Sequence, residues 1–436
     1  MKGTQGPPLI STKLNKIATI AKKYPDEPLN NLSHVIDLDF LKEAYRRTRK
    51  DGAPGIDSVT GKDYEEHLEE NLKSLLERFK SGNYRAPHVK RVYIAKDKPG
   101  ELRALGLPTF EDKVLQRAVL MLLEPIYELE FHEESYGFRS GRSAHQACRA
   151  VQRATWDSKQ AVVLEFDIRK CFDSIPKASV QACLRKRVTD GVILRTIGKW
   201  LNAGIFEAGE ISYSTTGCPQ GGVLSPFLMN VYLHELLDQW IKEVVSDRLN
   251  KSIRLVRYAD DGVLIFESIE DAERVLAVLP KRFGRYGLEL HPDKTRLVHF
   301  CRPEPSKSLN PETFTFLGFT YYWGKSRRGK MVIKLKTSKD RHRKLIRNAK
   351  GRCKDVRHKS LKEQQQTLNR MLRGVYNYFG VTFNYDALRC FHRMVERMWK
   401  TSLARRSQNG RMTFRRFKRI LGHYPLVQPY IKHNLL

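Results

Sequence analysis

The chain has 436 residues, of which 41% are hydrophobic, and its 79 Lys and Arg against 48 Asp and Glu give a formal net charge of +31. This length allows two or three domains with sizeable cores, and no apolar run reaches the ~18 residues of a membrane span. The N-terminus lacks the apolar core of a secretory signal, and the seven scattered cysteines form no C-x-x-C pair. We therefore expect a cytoplasmic protein with no disulfide framework and no zinc knuckle.

The positive charge is concentrated towards the C-terminus. Residues 325–436 contain 31 basic and five acidic side chains, whereas the preceding 324 residues carry a net charge of only +5. An ordinary solvated surface mixes both signs. A phosphate backbone is therefore the expected partner, ahead of an anionic membrane, because no basic amphipathic anchor stands out.

The first third of the chain predicts helices and one β-hairpin. Residues 1–36 form a Pro- and Lys-containing lead-in that we expect to be partly disordered. A helix is predicted over 37–50, capped by Asp37 or Asp39, and a second over 64–80.

Two strands follow, at 91–95 and 103–107, on either side of the turn K-D-K-P-G. A long amphipathic helix over 109–131 is expected to be interrupted at Pro125.

The loop Y-G-F-R-S-G-R-S places two arginines, Arg139 and Arg142, beside flexible backbone. Two guanidinium groups in this setting suit phosphate binding. Taken alone, however, the segment is better explained as an ordinary basic loop.

The segment R-L-V-R-Y-A-D-D-G-V-L-I-F-E, at 254–267, has two short apolar halves typical of buried strands. Between them lie Asp260, Asp261 and Gly262, and Asp-Gly is a strong hairpin signal. One interpretation is that both aspartates are turn residues without a chemical role. Two adjacent carboxylates repel each other, however, and a divalent cation such as Mg²⁺ would remove that repulsion.

A third carboxylate is predicted at the end of an apolar strand over 162–166, in F-D-I-R-K-C-F-D-S-I. Asp167 lies at the strand end, whereas Asp173 is better interpreted as a cap or turn residue. Three carboxylates are about what a two-metal site for phosphoryl transfer needs to hold ions ~3.5–4 Å apart.

The remaining motifs are a glycine-rich loop, a lysine turn and an aromatic strand pair. G-C-P-Q-G-G-V-L-S-P allows close approach of backbone to a ligand and leads into a helix over 227–242. H-P-D-K-T carries Lys294, and F-T-F-L-G-F-T-Y-Y at 314–322 predicts two strands. Helices with basic faces are then predicted over 338–358, 361–378, 385–406 and 413–421.

The order of these motifs resembles that of a reverse transcriptase. G-A-P-G-I-D, K-D-K-P-G-E-L-R-A-L-G-L-P and Y-G-F-R-S-G-R-S are similar to the bacterial group II intron-encoded branch, and L-N-R-M-L-R-G-V-Y-N-Y-F resembles its thumb or maturase region. The resemblance extends over residues 40–436. It implies an α+β right-hand polymerase with an antiparallel-sheet palm, helical fingers and a helical, basic thumb/maturase region. The implied regions are an N-terminal extension (1–36), fingers (37–160), palm (161–325) and thumb/maturase region (326–436).

The resemblance implies roles for individual residues. Asp167, Asp260 and Asp261 match the catalytic aspartates that bind two Mg²⁺ ions, with Mn²⁺ as a substitute, and the backbone of Ile168 is a further metal ligand. Lys294 matches a general acid that assists the leaving pyrophosphate.

The implied dNTP site is formed by five other residues. Lys96 and Arg103 match fingertip residues that grip the triphosphate, and Phe172 matches the gate that excludes a ribose 2′-OH. Gln220 and Gly221 match the loop beside the nascent base pair.

The implied partners are intron or template RNA and a DNA primer or target. The residues assigned to these nucleic acids are Arg139, Arg142, Arg370, Arg373 and, because residues 316–319 match the primer grip of the family, Phe316, Leu317 and Gly318. The printed chain has Cys218 where the family usually has a small hydroxyl residue or Ala. Near its end, His433 and Asn434 have no cysteine pairs beside them, so we expect no nuclease.

Three functions are compatible with the sequence. The chain can be an intron-encoded enzyme that copies RNA and assists splicing, or a domesticated polymerase in phage defence or DNA repair. The third function, an RNA-binding splicing cofactor without polymerase activity, is disfavoured by the intact aspartates.

Overall fold

The computed structural model describes residues 8–95, 102–158, 160–218, 220–303, 312–406 and 412–435. Within these ranges, helices pack around three sheets whose strands are mostly antiparallel. The helices are α1 (Pro8–Lys23), α2 (Leu38–Arg47), α3 (Gly61–Glu66), α4 (Leu68–Lys80), α5 (Phe110–Tyr127), α6 (Ala144–Asp157), α7 (Cys171–Ser174), α8 (Lys177–Arg185), α9 (Gly191–Leu201), α10 (Ser225–Leu233), α11 (Ile269–Arg285), α12 (Lys339–Asp355), α13 (Leu361–Phe379), α14 (Tyr385–Ala404) and α15 (Phe414–His423). The strands are β1 (Val89–Ala95), β2 (Leu102–Leu107), β3 (Val162–Arg169), β4 (Ile205–Glu207), β5 (Glu210–Ser212), β6 (Ile253–Tyr258), β7 (Asp261–Phe266), β8 (Glu289–Leu290), β9 (Arg296–His299), β10 (Phe314–Phe316), β11 (Phe319–Lys325) and β12 (Met331–Thr337).

The lead-in is more ordered than predicted. Helix α1 packs against α5 and buries Ile10, Ile17 and Ala21 in the core, so the expected disorder does not extend to this helix. Residues 1–7 lie outside the described ranges. The apolar positions at i, i+7 and i+11 give α1 one buried stripe.

The cap of α2 is Asp37, whose side chain accepts a hydrogen bond from the Phe40 backbone N–H at 3.0 Å. Helix α5 runs through Pro125 to Tyr127, contrary to the predicted interruption. A proline in the last turn removes only one helical hydrogen bond, and burial of most of α5 offsets that loss.

The central sheet has the order β6-β7-β3-β8, and β9 also pairs with β3. Strands β6 and β7 form the predicted hairpin, but its turn differs from the prediction. Tyr258 pairs with Asp261, so the connecting residues are Ala259 and Asp260, and Gly262 lies inside β7. Gly262 is needed for packing, because a Cβ there would come within 2.3 Å of Phe166 Cζ.

The two faces of β3 lie in different hydrophobic cores. Leu164 and Phe166 point into a core shared with α1, α2 and α5. Val163 points into a second core, shared with β10 to β12 and the C-terminal helices. This double burial explains why β3 has a nearly continuous apolar sequence.

The predicted aromatic strand pair and the four C-terminal helices are confirmed, with ends displaced by a few residues. The helix after the glycine-rich loop begins at Ser225 and continues beyond α10 as two π-helical turns, His234–Asp238 and Ile241–Val245. Among the described residues, the helices lack the length and apolar character needed to cross a membrane.

Candidate active site

Three aspartates from two separate parts of the sequence meet at one end of the central sheet. Asp167 of β3 is the direct cross-strand partner of Asp261, the first residue of β7. Asp260 precedes Asp261 in the two-residue turn that joins β6 and β7. Paired residues on antiparallel strands have Cα atoms ~4.5–5.5 Å apart, so the carboxylates of Asp167 and Asp261 are within side-chain reach.

The carboxylates interact unfavourably with one another. Desolvation, followed by the charges of Asp260 and Asp167, raises the pKa of the Asp261 carboxyl to about 7. Desolvation also raises the pKa of Asp260, and the charge of Asp167 adds to this rise.

Lys294 lies beside this cluster. It ends the 3₁₀ turn Pro292–Lys294, and its Nζ is 2.8 Å from Oδ2 of Asp167. The backbone N–H of His291 donates to the Asp167 carbonyl at 2.8 Å, which ties this turn to β3. An amine therefore lies at the edge of the carboxylate cluster.

The donor set suits a hard divalent cation that is also bound by a substrate. Among the described residues, no three His, Cys, Asp or Glu side chains are arranged to hold an ion by themselves. Mg²⁺ usually takes one or two carboxylates together with water and substrate phosphates, rather than a closed protein cage. The mutually repelling aspartates fit such an open site.

Residues assigned to dNTP binding lie on two adjoining segments. Arg103 lies on β2, and its positive charge lowers the pKa of the Asp260 carboxyl against the effect of burial. The Gln220 carbonyl accepts a hydrogen bond from Gly106 N–H of β2 at 2.5 Å. Gly221 has a φ of +113°, and a Cβ there would lie 2.4 Å from the Gly106 carbonyl oxygen. Lys96 lies outside the described residues.

The gate candidate Phe172 is half-buried on the short helix α7. Its carbonyl accepts a hydrogen bond from Cys218 N–H at 2.8 Å, which joins α7 to the glycine-rich loop. Ile168 is buried and pairs with Leu290 of β8. Asp173, expected to be a cap or turn residue, lies in the single turn of α7.

The residues of the predicted primer grip form the turn between β10 and β11. Leu317 and Gly318 have φ values of +50° and +79°. Tyr378 Oη donates to the Leu317 carbonyl at 2.9 Å, and the Ser338 N–H donates to the Gly318 carbonyl at 2.9 Å. Phe316 is buried beneath the turn. The two hydrogen bonds connect the turn to α13 and to the start of α12.

The loop Y-G-F-R-S-G-R-S at 136–143, which we call the Gly/Ser loop, contains two arginines with different surroundings. Arg139 is buried, forms an ion pair with Glu128 at 2.9 Å, and donates to the carbonyls of His132 and Ser135 at 2.7 Å. Its assignment to nucleic acid is therefore wrong, because its donors are used inside the protein. Arg142 is exposed and lies over the Tyr136 ring.

Arg370 and Arg373 lie on the exposed face of α13, opposite the buried Leu368 and Leu372. Near the end of the printed chain, the His433 ring stacks on His145, with ring centroids 3.7 Å apart.

Sequence reasoning missed Arg341, on α12. Its charge lowers the pKa of Asp261 against burial, and a Cβ on Gly318 would lie 3.3 Å from its Nε. Arg341 thus lies beside the turn of the predicted primer grip, and its charge acts on the aspartate cluster. It is one of many basic residues in its helix, so the sequence alone did not distinguish it.

Comparison with known proteins gives the family. Residues 94–321 match the family model of the reverse transcriptase (RNA-dependent DNA polymerase). Protein YkfC of Escherichia coli (strain K12) is 32% identical, over 74% of this chain and 91% of its own length. The group II intron-encoded protein LtrA of Lactococcus lactis subsp. cremoris is 28% identical, over 88% of this chain and 76% of its own length. The mitochondrial protein nuclear intron maturase 2 of Arabidopsis thaliana is 30% identical, over 64% of this chain and 43% of its own length. These relatives confirm the predicted resemblance, and the chain belongs to the reverse transcriptase family.

Proposed function

We propose that this chain is an RNA-directed DNA polymerase that copies an RNA template by two-metal phosphoryl transfer and also assists the folding, splicing and mobility of a group II intron. The observation that carries the polymerase activity is the cross-strand pairing of Asp167 with Asp261, beside Asp260 in the turn. The names of the relatives, a group II intron-encoded protein and an intron maturase, support the role in splicing. A splicing cofactor that does not polymerise would have no need for three repelling carboxylates in one cleft.

Asp167, Asp260 and Asp261, with the Ile168 carbonyl, would hold two Mg²⁺ ions, or Mn²⁺ in their place. When bound, such ions activate the attacking hydroxyl and neutralise charge on the leaving group. Lys294, 2.8 Å from Asp167, is positioned to give a proton to the departing pyrophosphate.

The incoming nucleotide would lie between β2 and α7. Arg103, whose charge lowers the pKa of Asp260, can bind the triphosphate through two parallel hydrogen bonds, together with Lys96. Gln220 and Gly221 would contact the nascent base pair, and the Phe172 ring would exclude the ribose 2′-OH.

The regions of a right-hand polymerase follow as part of the proposal. Residues 37–160 would be the fingers, 161–325 the palm and 326–436 the thumb/maturase region. Because α1 packs on α5, we include the described part of the N-terminal extension with the fingers. The primer grip would be Phe316, Leu317 and Gly318, and the RNA contacts would include Arg142, Arg370 and Arg373.

The test is primer extension with an annealed RNA template, dNTPs and Mg²⁺. We expect Asp260→Asn to abolish extension, because a neutral amide no longer attracts the metal. RNA affinity should stay within about twofold. The matched control is Asp157→Asn, an exposed aspartate at the end of α6 that pairs with Arg254 of β6, away from the turn. Extension by Asp260→Asn at the unmodified rate would refute the site.

A further inference from the structure

Behind the aspartate-bearing turn lies a buried polar cluster that the proposed chemistry does not use. Its centre is Arg257, the penultimate residue of β6, whose side chain is fully buried. Its Nε and Nη2 donate to the two carboxylate oxygens of Asp238 at 2.8 and 2.5 Å. Its Nη1 donates to Asn230 Oδ1 and to the Ala259 carbonyl oxygen, each at 3.0 Å.

The Ala259 carbonyl connects this cluster to the candidate site. Ala259 precedes Asp260 in the turn and has a φ of +58°, a left-handed conformation that is unusual for alanine. Such a conformation persists only where the surrounding contacts fix it. Arg257 supplies one of these contacts, directly beneath the turn.

The Gly/Ser loop supplies another. A Cβ on Gly137 would come within 2.2 Å of the Ala259 backbone nitrogen, so only glycine fits there. The Gly137 carbonyl accepts a hydrogen bond from Asn230 Nδ2 at 2.6 Å. Asn230 therefore connects Gly137 with the guanidinium of Arg257.

Asp238 ends the π-helical turn His234–Asp238, and turns of this kind are frequent at functional sites. Burial opposes ionisation of Asp238, yet the Arg257 guanidinium holds the pKa of that carboxyl well below its usual range. A buried ion pair is weak evidence of stabilisation, because apolar residues of similar volume often stabilise a fold equally well. A requirement for geometry explains this pair better.

We propose that Arg257 is a positioning residue which, together with Asp238 and Asn230, fixes the Ala259–Asp260 turn and so sets where the Asp260 carboxylate meets Asp167 and Asp261. The inference rests on the proposed polymerase function. Arginine is required because its planar fork can donate to Asp238, Asn230 and Ala259 at once, which a lysine ammonium cannot do in the same geometry.

The test separates positioning from folding. Arg257→Met alone would leave the Asp238 charge buried without a partner and would unfold the chain. The double variant Arg257→Met/Asp238→Leu removes both charges and keeps the volume, so we expect it to fold, with melting and RNA affinity close to those of the unmodified chain. Arg257→Lys is the conservative companion, since it keeps a cation beside Asp238.

In steady-state primer extension we expect the double variant to lose about 10²-fold in kcat, because a small misplacement of a reacting group has an effect of that size. The Mg²⁺ concentration for half-maximal rate should rise, whereas KM for dNTP should stay within about twofold, since Arg103 is untouched. The kcat of Arg257→Lys should lie between those of the unmodified chain and the double variant.

The matched control is Arg187→Met. Arg187 is also buried and pairs with Glu130 at 2.7 Å, but it donates to the Tyr24 carbonyl, away from the turn. This variant should lose stability and keep both kcat and its Mg²⁺ dependence.

A folded double variant with unmodified kcat and Mg²⁺ dependence would overturn the inference and leave the proposed function intact. An unmodified chain that extends no primer would overturn the proposed function, and this inference with it.

Discussion

The aspartate cleft and the C-terminal helices both present like charges, but they arrange them differently. In the cleft, Asp167, Asp260 and Asp261 converge on one point, and their mutual repulsion contributes to raised pKa values. On α12 to α15 the basic residues are spread along exposed helix faces over an apolar underside. Convergent charge suits a compact cation, whereas distributed charge suits a polymer with a phosphate at each step.

The largest effect is expected from a change in the aspartate cleft that leaves the C-terminal helices intact. Asp261→Asn should lower the rate of primer extension by at least ~10³-fold, because metal coordination supplies several kcal/mol of transition-state stabilisation. Affinity for RNA, measured by filter binding, should change less than about twofold. A parallel fall in both quantities would show that cleft and helices do not act separately.

A second change tests whether the cleft also distinguishes deoxyribose from ribose. Phe172→Ala should lower the preference for dNTPs over rNTPs by about 10- to 100-fold, because steric pockets discriminate to about this degree. The ratio of kcat/KM values for dCTP and CTP is the measurement. An unchanged ratio would place the gate elsewhere.

A third change tests the basic faces of the C-terminal helices. Arg370→Ala combined with Arg373→Ala should reduce the slope of log affinity against log salt by about one unit for each phosphate that the variant no longer binds. The rate at saturating template should be unchanged. Arg389→Ala is the control, because Arg389 already pairs with Asp386 at 3.1 Å on an exposed helix face. Slopes identical to that of the unmodified chain would place α13 away from RNA.

The smallest effect on activity is expected in the Gly/Ser loop, where one arginine is paired and the other is exposed. Arg139→Met should lower the free energy of unfolding by about 3 kcal/mol, because the carbonyls of His132 and Ser135 lose their buried donor and Glu128 loses its partner. Arg142→Met should leave stability unchanged and weaken RNA binding slightly. The reverse pattern in denaturant titrations would contradict the distinction between paired and exposed cations.

Local patterns predicted much of this architecture. The β6–β7 hairpin, strands β1 and β2 and the C-terminal helices follow from apolar periodicity and caps, which act over a few residues. The ordered helix α1 was not predicted, because its formation depends on packing against α5.

The site was predicted less completely than the fold. The three aspartates could be named because apolar strands flank them. The burial of Arg139, the place of Arg341 and the cluster around Arg257 depend on partners far away in the sequence. A buried arginine and an exposed one look alike in a single sequence, so only tertiary contacts separate them.

The position of β3 between two cores also determines how the chain can be divided. A fragment ending before α12 would keep Asp167, Asp260 and Asp261 but would leave Val163, Val298 and Phe316 without the helices that cover their core. Such a fragment would expose a contiguous apolar patch and aggregate. The basic C-terminal helices are therefore part of the same folded unit as the aspartate cleft and not a detachable module.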